Sequence, residues 1–208
     1  MKIPSIAGQA GLALALMLGA PALAQSGPAQ SGPSPTAPRA TMIDRLINSP
    51  FVQNWYTWGL TPNPTPRDAQ GVTGGKALTI DVQKAGDPWS VGAVMTNSGA
   101  IKTGDVLLLG VWVRADRLPE GQTETRMATM ILEGETEPKV TLAQASDVAV
   151  GPQWKMIYAS GVAAKDFAPG ESKIILQMGQ AVHRLELGPA LLFNFGPDYD
   201  RSRLPQNP

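Results

Sequence analysis

Apolar and polar residues alternate along most of the chain between Met42 and Pro197. In "ALTIDVQ", Leu78, Ile80 and Val82 fall on one side of an extended chain and Thr79, Asp81 and Gln83 on the other. Successive side chains of a strand point to opposite faces, so this pattern predicts a half-buried β-strand. "VLLLGVWVRA" (Val106 to Ala115) is apolar almost throughout. Its parity puts Leu107, Leu109, Val111 and Val113 on a core face, and Val106, Leu108, Gly110, Trp112 and Arg114 on the opposite one. Further strands are predicted in "TRMATMILEG" (Thr125 to Gly134), "WKMIYASGV" (Trp154 to Val162), "SKIILQMG" (Ser172 to Gly179) and "HRLELGPALLFNFG" (His183 to Gly196). Turn signals separate them, among them Asn97-Ser98-Gly99, Pro119-Glu120-Gly121 and Pro169-Gly170. No long segment keeps a 3.6-residue period. "TMIDRLINSP" predicts only a short helical turn, stopped at Asn48-Ser49-Pro50. Many short strands with such punctuation predict an all-β fold, an antiparallel β-sandwich or jelly roll.

The pattern changes at both ends. Lys2, the short apolar run "GLALALMLGA" and "ALA" before Gln25 predict a secretory signal peptide over residues 1–24. The apolar run is too short to span a bilayer, so no membrane span is expected once the signal is removed. Residues 25–41 are Pro-, Ser- and Gly-rich and predict a disordered spacer. One domain over 42–197 is expected, followed by a frayed polar tail over 198–208. The location expected is periplasmic or secreted.

Composition narrows the function classes. The chain has 17 basic and 17 acidic residues, so no electrostatic pull toward nucleic acid is expected. It has no cysteine, which removes thiol catalysis, cysteine–zinc sites and disulfides. No Gly-rich phosphate loop, H-E-x-x-H or G-x-S-x-G is present. Asp198 and Asp200 read as a solvated pair in the tail rather than a catalytic or calcium-binding one.

The order "GGKALTIDV", "DPWSVGAVM", "IKTGDVLLLGVWVRA", "QWKMIYASGVAAKDFAPGESKIILQMG" and "HRLELGPALLFNFG" resembles a known family. It is similar to the carbohydrate-binding modules found beside bacterial xylanases and cellulases, within the galactose-binding-like jelly-roll superfamily. The resemblance implies a galactose-binding-domain-like sandwich, no catalysis, and a polysaccharide or oligosaccharide ligand on one sheet face and its rim loops. Two positions depart from it. His183 stands where a glutamine is frequent. The closing strand "PALLFNFG" lacks the frequent aspartate, which takes a hard oxygen ligand from any structural calcium site. No cofactor and no metal site are therefore expected.

The candidate ligand-binding residues are Trp112, Arg114, Trp89, Gln177 and Arg126. Trp112 and Arg114 flank a glycine on the non-core face of their strand and suggest a flat platform. Trp89 shares parity with Val91, Ala93 and Met95, which predicts a ring packed on the core side, with a cleft-lining ring as the alternative. Trp154 opens a strand and reads as packing. In "NWYTWG", Trp55 and Thr57 should face one way, Tyr56 and Trp58 the other. The outward side is a candidate surface for a protein partner, as in an envelope interaction module that kept the fold without sugar binding. His183, Tyr158, Arg184 and Gln177 supply the residue types of a jelly-roll polysaccharide lyase. Parity, however, puts His183 and Arg184 on opposite faces, and His183 reads as a hydrogen-bonded histidine at the sandwich edge.

Overall fold

The computed structural model describes residues 41–207; the expected signal peptide and most of the expected spacer lie outside them. The strands are β1 (Tyr56–Trp58), β2 (Arg67–Asp68), β3 (Lys76–Val82), β4 (Gly92–Thr96) and β5 (Val106–Arg117). They continue with β6 (Thr125–Gly134), β7 (Thr141–Val150), β8 (Lys155–Val162), β9 (Ser172–Gln177) and β10 (His183–Asn194). They form two antiparallel five-stranded sheets, ordered β1-β4-β9-β6-β7 and β2-β3-β10-β5-β8. This is the antiparallel β-sandwich that the alternating pattern predicts. The inner faces carry the predicted core. Leu107, Leu109, Val111 and Val113 of β5 are fully buried, and Leu78, Ile80 and Val82 of β3 meet them with Ile174, Leu176, Met130 and Leu132 of the other sheet. At about 25 cal/mol per Å² of apolar surface removed from water, this interior is the main stabilising term in a chain without disulfides.

β7 is a strand the periodicity does not show. Its buried positions run Leu142, Ala143, Val148 and Val150, so the alternation breaks midway. The break coincides with Asp147, which takes a φ of 53°, a left-handed conformation that re-aims the strand.

Two flanking segments complete the second sheet. β10 pairs with β3 only over His183–Leu187, leaving its later edge open on that side. The chain before β1 fills the gap: Leu46 bridges Phe193, and the Ile47 N–H donates to the Leu192 carbonyl at 2.8 Å. The buried Asn48 donates to the Ala190 carbonyl at 2.9 Å and accepts from the Leu192 N–H at 2.8 Å. The short helical turn expected here is the 3-10 turn Ile43–Arg45.

The tail does not fray. Leu204 is buried against Val106 and Leu108, with Tyr158, Phe193, Phe195 and Tyr199 around it. β8 is an edge strand, and its exposed backbone is answered by side chains of the tail. The Asn207 amide accepts from the Tyr158 N–H and donates to the Tyr158 carbonyl, both at 2.8 Å. Arg201 donates to the Ser160 carbonyl at 2.8 Å. The folded unit therefore runs past the expected boundary at 197.

Candidate functional site

The outer face of the first sheet is built from residues that alternate with its core. Ala93, Met95, Ile174, Leu176, Met130 and Leu132 point inward, so their neighbours point out. Register brings these neighbours into rows. Tyr56, Val94, Ile175, Ile131 and Gln144 lie side by side across all five strands. Beside them run Trp58, Gly92, Gln177, Thr129 and Ser146. The first row runs from Tyr56 through the aliphatic Val94, Ile175 and Ile131 to the amide of Gln144; the second adds further amide and hydroxyl groups.

One border of the face is aromatic. Tyr56 is 66% exposed on edge strand β1. The Trp58 ring lies over Gly92, where a Cβ would run into its six-membered ring. Its indole N–H donates to the Trp89 carbonyl at 2.8 Å. Trp89 is 61% exposed, which overturns the expectation of a core-packed ring. Pro88–Ser90 form a 3-10 turn, so the parity that buries Val91, Ala93 and Met95 does not extend back to Trp89. Gly59 follows Trp58 at a φ of 75° and lets the backbone press against Ser90, where any side chain would collide.

Charge on this face is locally neutralised. Lys173 pairs with Glu135, and Arg126 donates to the Asp147 carboxylate at 3.2 Å and the Glu124 carboxylate at 3.3 Å. The face thus offers ring faces, aliphatic groups and uncharged hydrogen-bonding groups, the combination that suits a sugar's C–H patches and hydroxyls.

The five candidate binding residues do not form one site. Trp89, Gln177 and Arg126 belong to the first sheet and its rim. Trp112 and Arg114 sit on the outer face of the second, on the other side of the sandwich. There the Arg114 Nε meets Glu186 at 2.5 Å, and its guanidinium lies 5.2 Å from the Trp154 ring centre. Trp112 is half-buried, and its Cβ and Val72, from the turn between β2 and β3, both pack over Gly188. The same face carries a self-neutralising network. Asp81 accepts from Arg117 at 2.6 Å and Arg184 at 2.8 Å, and Arg184 reaches Asp116 at 3.4 Å. Burial works against the Asp81 carboxylate, but the two arginines outweigh it and hold its pKa below the ordinary value.

The aromatic cluster follows its parity. Trp55 is buried, with its N–H donating to the Gly188 carbonyl at 3.1 Å, and Thr57 is buried beside it; Tyr56 and Trp58 face out. The lyase-type residues are not brought together. Tyr158 lies under the tail, Arg184 pairs with Asp81, Gln177 is on the opposite sheet, and His183 is fully buried.

Asn194 stands near the end of the closing strand, which carries no aspartate. Its amide N–H donates to Asp105 at 2.5 Å, and Asp105 also accepts from the Lys102 N–H at 2.8 Å. Among the described residues no three or more His, Asp or Glu side chains gather at one point.

No protein-family model matches the sequence, and no curated protein matches it. Solved structures do. The second N-terminal cellulose-binding domain of Cellulomonas fimi β-1,4-glucanase C superposes with a TM-score of 0.52 at 15% identity, covering 72% of this chain and 93% of that one. The first such domain of the same glucanase gives 0.51 at 18%, covering 74% and 97%. The fold is the β-sandwich that these cellulose-binding domains share. A CBM22-1–GH10 piece of Clostridium thermocellum endo-1,4-β-D-xylanase 10B, complexed with xylohexaose, gives 0.50 at 13% identity. It covers 72% of this chain, which spans only 29% of that longer protein. Among the described residues no helix is long and apolar enough to cross a membrane.

Proposed function

We propose that this protein is an exported, non-catalytic carbohydrate-binding module that holds a glycan chain across the outer face of the first sheet. The observation that carries the reading is the aromatic border of Tyr56, Trp58 and the exposed Trp89 beside a row of uncharged polar groups. Rings along the border stack on sugar faces, and Gln177, Thr129 and Ser146 bond hydroxyls. Cellulose-binding domains and a xylohexaose complex among the solved structures of this fold support a β-linked polysaccharide as the ligand class. A shallow face leaves a modest surplus after ordering costs, so the affinity expected is weak. Export rests on the signal-like segment, and N-terminal sequencing of the exported protein should begin at Gln25. The test of binding is calorimetric titration with xylohexaose, cellohexaose and soluble xylan. Saturable binding to at least one is expected. Binding to none of them, and to no member of a wider glycan array, would sink the reading.

A further inference from the structure

We propose that His183 is a positioning residue for this face: its neutral imidazole clamps the β9–β10 turn, and that turn holds the segment presenting Trp89. The inference rests on the proposed glycan face for its functional meaning, but the clamp can be measured without a ligand.

His183 opens β10 in the second sheet, paired with Val82, yet its ring reaches across to the first. Nδ1 lies 2.6 Å from the Thr125 hydroxyl of β6, and Nε2 lies 3.0 Å from the Met178 carbonyl just after β9. A carbonyl only accepts, so Nε2 carries the proton and Nδ1 accepts from Thr125. The turn beyond Met178 is tied directly to the Trp89 segment. The Met178 N–H donates to the Val91 carbonyl at 2.9 Å, and the Gly179 N–H to the Pro88 carbonyl at 3.0 Å. The Gly86 N–H donates back to the Gly179 carbonyl at 2.9 Å, and the Gln180 amide to the Arg126 carbonyl at 2.7 Å. Trp58 completes the chain through its bond to the Trp89 carbonyl. One buried imidazole thus sits behind both tryptophans of the border.

That ring is fully buried and, among the described residues, has no carboxylate partner. Its bonded neighbours on β6 and after β9 are uncharged, and Val82 faces it from β3. The charged group acting on it is Arg117 of β5, which is itself paired with Asp81. Protonation would place a second cation near Arg117 and force the Thr125 hydroxyl to reverse. Burial, with a smaller push from Arg117, lowers the pKa of His183 below its ordinary 6.5, although the Met178 carbonyl works the other way. A group depressed in the closed form takes up its proton on opening. The clamp is therefore at full strength above pH 6.5 and weakens as pH falls toward the depressed value.

The test is amide hydrogen exchange on the unliganded protein at about pH 7.5 and about pH 5, corrected for intrinsic rates. Peptides covering 86–92 and 176–183 should exchange about tenfold faster relative to β5 at the lower pH. His183→Gln keeps one donor and one acceptor but does not titrate, so its profile should be flat. In parallel, xylohexaose affinity of the wild type should fall over the same interval and that of the glutamine variant should not. A pH-independent wild-type exchange profile overturns the inference whether or not any glycan binds. Loosening without loss of affinity overturns the positioning role. Absence of all glycan binding counts against the proposed function, and the exchange data still decide the clamp.

Discussion

Trp89 and Trp55 show how differently two tryptophans in one border region behave. Trp55 is buried and hydrogen-bonded, so Trp55→Ala should cost about 3–5 kcal/mol through lost burial and a cavity. Trp89 is largely open, so Trp89→Ala should change the melting curve little while lowering glycan affinity about tenfold or more. Paired melting curves and titrations check both. Much of this was legible in the chain: the alternation of Trp55, Tyr56, Thr57 and Trp58 places each of the four as observed. Trp89 was not, because three residues of 3-10 turn reset the parity, and nothing in "DPWSVGAVM" marks where the strand begins.

At the scale of elements, the tail is a working part of the second sheet. Leu204→Ala should destabilise by about 2 kcal/mol, and Asn207→Ala by about 1 kcal/mol through the unsatisfied Tyr158 backbone. Chemical denaturation measures both, and values indistinguishable from wild type would mean the tail is not docked in solution. The docking was hidden in the sequence because Tyr199 and Leu204 stand singly among polar residues, without a period. The split of the five candidate binding residues was hidden for another reason. Parity tells which side of its own strand a residue takes, but not which sheet the strand joins. That is decided by pairings such as β9 with β4 and β6, contacts between residues far apart in the chain.

For the whole molecule, acid should act in two stages. Stability should be flat above pH 6.5 and fall below it as His183 charges on unfolding, with His183→Gln removing this first stage. Asp166, pushed down to about 2 by Lys102 and the Thr103 hydroxyl and N–H, contributes above its ordinary 3.8 and loses that contribution only as pH falls toward 2. Being fully exposed, it should add little beside the histidine. Melting temperature against pH for wild type and variant is the check. Chelator should leave the wild-type melting temperature nearly unchanged, because among the described residues no three acidic or histidine side chains converge into a shell of hard ligands.

The central claim is that a glycan lies on the first sheet's outer face and not on the second's. The most direct measurement follows the indole N–H signals of the five tryptophans by NMR during titration with xylohexaose or cellohexaose. Trp58 and Trp89 should shift progressively and saturate together, while Trp55, Trp112 and Trp154 stay in place. Saturable shifts confined to Trp112 and Trp154 would put the ligand on the opposite face and contradict the account.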